Sequence, residues 1–371
     1  MKQKIDTKKL KKSALADALA ALLPGGALFA PAGEAERQAF SKIETGSIDS
    51  INLRGLPVIS PKELLFPRSE TLYGVGLVSG EIAEPESPGK TVLFGVRPCD
   101  ARAIANLDSA FLEQGYTDSA YAQRREATTI IALACPEIAS PSCFCDSMGG
   151  SPASPEGADV LLRETADGEA WLVSFLSEKG KAVEALWQEA GVLDEPDAEP
   201  SAAPANAPDV KPAAEADSKP AEPPACTLKV EKPADLAGRL IAAFDDPIWA
   251  RFSEACIGCG TCSYICPTCY CFDIDSETSG AVSEQFRCWD CCMFSDYSRM
   301  AGGHNPRPTK KERLRNRYLH KLAYFDERYE KTLCVGCGRC ISKCPAALDI
   351  ADIIEWGGQL CVKKEEGGRL L

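Results

Sequence analysis

An α/β N-terminal domain, a Pro/Ala-rich linker and a cysteine-dense α+β C-terminal domain with a long insertion are the architecture the 371-residue sequence predicts. Three observations carry it. Short β-branched apolar runs alternate with a helical period through the first half of the chain. The composition turns to Pro, Ala, Glu and Asp from about residue 193 and turns back by about residue 233. Most of the nineteen cysteines fall in the last third, many of them two or three residues apart. The predicted boundaries are 1–192, 193–233 and 234–371, with the insertion at 273–330.

The first element is an amphipathic helix. Lysines at positions 2, 4, 8, 9, 11 and 12 precede Ala14–Leu19, which superficially suggests an export signal. Asp17 interrupts that apolar run, Pro24-Gly25-Gly26 ends it, and no twin-arginine signal is present. The expected location is therefore the cytoplasm, where thiols stay reduced. Thr91–Val96 and Thr129–Ala134 read as buried strands, and Ala103, Ile104, Leu107 and Phe111 between them follow a helical spacing. Strand, helix, strand implies a sheet that is at least partly parallel. Asp159–Leu162 and Trp171–Val173 read as later strands around the turn Ala166-Asp167-Gly168, and Lys181–Ala190 as a closing helix.

Residues 193–233 have too little apolar surface to offset chain entropy and read as an extended, mostly disordered linker. Cys226 stands alone in it and is not expected to be a ligand. Beyond it, Leu236–Phe252 reads as one helix. Another starts at Thr309, where Thr309 and Glu312 form a capping box.

Charge and hydropathy exclude several functions. A net charge of −13 argues against nucleic-acid or anionic-membrane binding, and no apolar run is long enough to span a membrane. The basic, aromatic stretch Arg307–Arg328 reads as a solvated ion-paired helix or a face for an acidic partner. Only His304 and His320 are available for histidine chemistry, and neither a G-x-G-x-x-G after a strand nor a P-loop is present.

Two cysteine runs share the template C-x-x-C-x-x-C-x-x-x-C-P: Cys256, Cys259, Cys262 and Cys266-Pro267, then Cys334, Cys337, Cys340 and Cys344-Pro345. Three closely spaced thiolates wrap three corners of one cubane, while the fourth reaches the other cluster. This is the pattern of a two-cluster ferredoxin-like domain. It assigns Cys256, Cys259, Cys262 and Cys344 to one 4Fe-4S cluster, and Cys334, Cys337, Cys340 and Cys266 to the second. Gly258, Gly260, Gly336 and Gly338 let the backbone approach the sulfides. Zinc is the competing reading, but it needs neither the third cysteine nor the C-x-x-x-C-P tail, twice over.

Cys99 and Cys135 each follow a predicted strand, which places them at one carboxyl edge of a parallel sheet, with Cys143 and Cys145 on the loop beyond. These four are the candidates for a third 4Fe-4S cluster; the alternative is a structural role. Cys269, Cys271, Cys288, Cys291 and Cys292, in the segment between the two runs, show no regular ligand spacing and read as packing or supporting residues.

Several stretches together resemble one family: Pro61-Lys62 with Leu65-Phe66-Pro67, Phe94–Asp100, Cys143–Gly149, Cys266–Asp273, Arg287–Asp290 and Ala301–Arg307. The resemblance is to the iron–sulfur β subunit of cytoplasmic sulfhydrogenases and the corresponding iron–sulfur subunit of anaerobic sulfite reductase. It implies a non-catalytic electron-relay subunit. It also implies a ferredoxin-NADP-reductase-like partner carrying FAD and binding NAD(P), and a catalytic oxidoreductase subunit of hydrogenase, sulfite reductase or heterodisulfide-reductase type. No flavin is expected on this chain. Two alternatives stay open: direct reduction of a sulfur or disulfide compound by the extra cysteines, and an iron–sulfur redox sensor.

Overall fold

The structure is a computed structural model that describes residues 7–34, 36–113, 115–195 and 220–360. Its strands, in chain order, are β1 (Thr7–Lys11), β2 (Ala27–Ala32), β3 (Ala39–Ile43), β4 (Ser69–Gly76), β5 (Ile82–Ala83) and β6 (Thr91–Val96). They continue as β7 (Thr128–Leu133), β8 (Val160–Glu164), β9 (Ala170–Phe175), β10 (Leu193–Asp194), β11 (Phe272–Ser279) and β12 (Val282–Trp289).

The larger sheet runs β10-β1-β9-β8-β7-β6-β2-β3. Its middle is parallel, from β2 through β6 and β7 to β8, as the alternation of strand and helix requires. Central parallel strands are covered on both faces, which is why β6 and β7 are nearly continuous apolar runs. The helix Pro98–Leu112 covers one face through Ile104, Leu107 and Phe111. The opposite face packs Phe94, Ile131 and Val173 against Trp187 of the helix Glu178–Glu189. Trp187 is buried and satisfies its indole by donating to the Ala18 carbonyl at 2.9 Å. Strands β6 and β7 end at the same edge, so Cys99 and Cys135 leave the sheet together.

A second sheet joins the two halves of the sequence. Its order is β11-β12-β4-β5, so the hairpin of the insertion pairs with a strand from the first 192 residues. Arg287 fixes that junction. It is buried and pairs with Glu70 at 2.5 Å on β4 and with Asp118, which caps the helix Ser119–Ala127. Removing one partner of such a pair leaves an uncompensated buried charge. The halves therefore interlock and do not hang on a linker.

Two expectations need correction. The helix expected over Leu236–Phe252 is two, Leu236–Ala242 and Ile248–Glu254, because Pro247 cannot continue the ladder. The stretch 193–233 is not one extended linker: β10 pairs with β1, and residues 220–233 pack on the first domain. There the Ala221 amide donates to the Glu164 carbonyl at 2.8 Å, and Cys226 and Val230 are buried. Residues 196–219 lie outside the described residues. Among the described residues no helix is long and apolar enough to cross a membrane.

Candidate metal centres

Each ferredoxin-type run turns through two glycines in the left-handed region, Gly258 and Gly260 in the first, Gly336 and Gly338 in the second. A one-turn helix follows each, Thr261–Tyr264 and Arg339–Ser342, and carries the third cysteine. Cys256, Cys259, Cys262 and Cys344 line a single cavity together with Cys340, Leu314 and Tyr318. Cys344 comes from the opposite run, as does Cys340. Cys334, Cys337, Cys340 and Cys266 form the second set. Burial pushes the first three thiols upward, Cys334 to about 11, and the nearby charges within the set push them further.

Buried thiols that resist ionisation singly are a donor set suited to a strongly cationic core. Backbone amides already face the sulfurs: Gly258 N–H donates to Cys256 Sγ at 3.4 Å and Leu348 N–H to Cys344 Sγ at 3.3 Å. Among the described residues no three His, Cys, Asp or Glu side chains close on a point fit for a single metal ion.

One face of the basic helix that follows Thr309 is buried, not solvated, which corrects the reading of Arg307–Arg328 for that face. Its capping box forms as expected, with the Thr309 amide donating to Glu312 at 3.0 Å. Arg313, Arg317 and Lys321, however, recur every four residues on one face, and all three are buried. Arg317 donates to the Cys262 carbonyl at 2.8 Å and to Cys269 Sγ at 3.4 Å, and it feels the charges of Cys262 and Cys340. It lies between the two cysteine sets. Lys321 donates to Cys266 Sγ at 3.2 Å and to Thr268 Oγ1 at 3.0 Å. The turn His320–Tyr324 that carries Lys321 is a π-helix, a local widening that is common at functional sites. Burial opposes the Lys321 charge, but the charge at Cys266, with Cys269 beside it, outweighs that and holds the ammonium above its usual range. A hydrogen bond from Cys269, with Lys321 and Arg317 close by, holds Cys266 well below the usual thiol value.

The N-terminal cysteines sit against the second set. Phe144 N–H donates to the Gly336 carbonyl at 2.8 Å, and Cys143 Sγ lies 3.7 Å from the Cys337 carbonyl. Asp100 and Arg339 form a buried bidentate pair at 2.6 and 2.8 Å across the same boundary. Cys99, at the start of the helix Pro98–Leu112, faces Asp100, Arg339 and Cys337. Cys135, Cys143 and Cys145 gather instead with Cys226, whose sulfur is 3.7 Å from that of Cys145. No local signal marks Cys226 in the sequence, because it lies within the Pro/Ala-rich stretch, whose end packs against this site.

The insertion cysteines divide. Cys291 is fully buried under the first run, its sulfur 3.1 Å from where a Cβ on Gly260 would stand. Cys288 lies on β12. Cys271 is hydrogen-bonded by Cys292 and Tyr297, which brings it down to about 6. Cys271, Cys292 and Tyr297 line a cavity with Arg307, His320 and Tyr270.

The model of a 4Fe-4S dicluster domain matches residues 255–348, which spans both runs and the insertion. The chain is also 34% identical over 313 residues to sulfhydrogenase 2 subunit beta of Pyrococcus furiosus, an alignment that covers 84% of this chain and 87% of the relative.

Proposed function

Because the chain belongs to the family of sulfhydrogenase iron–sulfur β subunits, we propose that it is the electron-relay subunit of an oxidoreductase complex. In this reading Cys256, Cys259, Cys262 and Cys344 hold one 4Fe-4S cluster, and Cys334, Cys337, Cys340 and Cys266 hold the other. The clusters supply one-electron carriers when bound. The observation that carries the reading is the crossed pair of cysteine sets with buried Arg317 between them.

The residues divide the work. The thiolates fix position, and the glycine turns bring amides to the sulfurs. Arg317 and Lys321 offset negative charge that increases on reduction, inside a site that excludes water. The partners proposed are a ferredoxin-NADP-reductase-like subunit with FAD and NAD(P), and a catalytic oxidoreductase subunit, in the cytoplasm. Anaerobic co-purification tests this: a flavoprotein should accompany the chain and reduce its clusters from NAD(P)H. A chain isolated alone that turns over a substrate would overturn it.

The cavity at Cys271 and Cys292 favours a second reading, thiol chemistry on a sulfur or disulfide compound. Alkylation of Cys271 with both clusters intact separates the two. Turnover lost with reduction by the flavoprotein preserved supports thiol chemistry, whereas turnover preserved supports the relay.

A further inference from the structure

We propose that Cys135, Cys143, Cys145 and Cys226 hold a third 4Fe-4S cluster, with Cys226 supplied from the end of the Pro/Ala-rich stretch and Cys99 outside the ligand set. The inference rests on the relay reading, to which it adds a centre beside the second cysteine set.

Position is the first argument. Cys135, Cys143 and Cys145 are each neighbours of Cys226 and of one another, and the Cys145 and Cys226 sulfurs approach to 3.7 Å. Cys99 shares such proximity with Cys135 and with Cys337, on the other side of the Asp100–Arg339 pair. The set expected from sequence, Cys99 with the other three, is thus redrawn by one member.

Pre-organisation is the second argument. An isolated cysteine in an unfixed segment cannot build a metal site, but Cys226 is fixed. It is 2% exposed, and its amide donates to the Asp146 carboxylate at 3.1 Å. Lys229 pairs with the same carboxylate at 2.5 Å, and Val230 N–H donates to Ser147 Oγ at 3.0 Å. Asp146 and Ser147 directly follow Cys145, so the loop that carries one ligand holds the segment that carries another. The Cys145 turn is itself closed by Gly150 N–H on the Cys145 carbonyl at 2.9 Å.

Charge is the third argument. Arg97, buried, donates to the Ala134 carbonyl at 3.4 Å and faces Cys135. This repeats the arrangement of Lys321 beside Cys266. The contacts of Phe144 with Gly336 and of Cys143 with Cys337 put the site directly against the second run. A disulfide does not account for the pair, since 3.7 Å is far beyond a sulfur–sulfur bond of about 2.05 Å.

The test uses the full chain, prepared anaerobically, with iron, sulfide and zinc measured per chain and the reduced clusters followed by electron paramagnetic resonance. About twelve irons are expected for the native chain, against about eight for two clusters alone. Cys226→Ser and Cys145→Ser should each lose about four irons and keep both dicluster signals, and Cys99→Ser should keep about twelve. A native chain with about eight irons, zinc in place of the missing iron, or loss on Cys99→Ser with none on Cys226→Ser would overturn the proposal. Alkylation of the native chain guards against a folding artefact. Cys226 should react only after iron is chelated, and its modification in the fully loaded chain would also overturn the proposal. The relay reading fails separately, if Cys256→Ser and Cys334→Ser leave the iron content unchanged.

Discussion

The two cysteine runs obey one template yet occupy opposite environments. In the first, Cys259 is exposed and Ile257 keeps 68% of its surface in solvent. In the second, Cys337 is buried and Val335, the residue matching Ile257, is 2% exposed. Around the second run lie Arg339, Lys321 and the loop Ser142–Cys145; around the open side of the first there is solvent. Spacing sets which thiols share a cluster, whereas the surrounding chain sets how each cluster meets the outside. The first run suits exchange with a partner, and the second suits transfer within the chain.

The strongest test exchanges the crossing ligands. Cys344→Ser, although it lies in the buried run, should remove the cluster of the exposed run, and Cys266→Ser the reverse. Each should lose about four irons of the complement. The surviving signal identifies the partner: after Cys344→Ser it should be the one that water-soluble relaxing agents affect least. If each serine removes the cluster of its own run, the crossed assignment is wrong.

Glycines at matched positions come next. A Cβ on Gly338 would stand 2.3 Å from the Ser142 carbonyl oxygen, and one on Gly336 would stand 2.6 Å from that of Phe144. Gly258 has nothing within 4 Å. All three lie in the left-handed region, which costs a side chain about 1–2 kcal/mol. Gly258→Ala should therefore cost only that strain. Gly336→Ala, at the matching position, adds overpacking against the Phe144 backbone and should cost about 2–5 kcal/mol in denaturant unfolding. Equal losses would mean that the buried loop yields easily and that the contact with Ser142–Cys145 is loose.

The matched apolar pair gives a smaller contrast. Val335→Ala removes buried methyls and should cost about 2 kcal/mol. Ile257→Ala should stay within about 0.5 kcal/mol, yet slow electron exchange with the partner, measured by stopped-flow reduction. An unchanged rate would move the exchange site away from the exposed run.

Much of this is legible in the sequence, and the losses have physical causes. The central strands and the helix between them follow from periodicity, because β-branched runs and the spacing of Ala103, Ile104, Leu107 and Phe111 are local signals. The crossed assignment proposed for the ligands follows from spacing alone. Pairing of β4 with the hairpin of the insertion does not, because nothing local links residues some 200 positions apart in register. The basic helix misleads for a different reason. Its composition suggests solvent, while the four-residue step of Arg313, Arg317 and Lys321 already places the three on one face. Arg317 and Lys321 are compensated by cysteine sulfurs and Arg313 by the Met293, Arg307 and Pro308 carbonyls, partners visible only in three dimensions. Cys226 is hidden because its neighbours in sequence look unstructured, although Asp146 and Ser147 hold its segment in place.

Lys321 carries the smallest predicted effect and the most specific one. Its ammonium lies 3.2 Å from the sulfur of Cys266, a proposed ligand in the buried set. Reduction adds negative charge, and a fixed cation at that distance favours the reduced form. Lys321→Met keeps the stem volume and removes the charge, so the potential of that centre should fall by roughly 60 mV, equivalent to about 1.4 kcal/mol for one electron. The centre of the exposed run should not move. The charge at Cys266, with Cys269 beside it, holds the ammonium above its usual range, so it stays charged throughout the working pH range, and the native potential should be flat with pH. His320, the preceding residue in the chain, adds no such dependence near neutrality, because burial brings it down to about 4 and leaves it uncharged there. A potentiometric titration followed by electron paramagnetic resonance reads both centres at once. Equal shifts in the two would show that Lys321 acts through the general field of the protein, and the contrast between a tuned interior centre and an open outer one would fail.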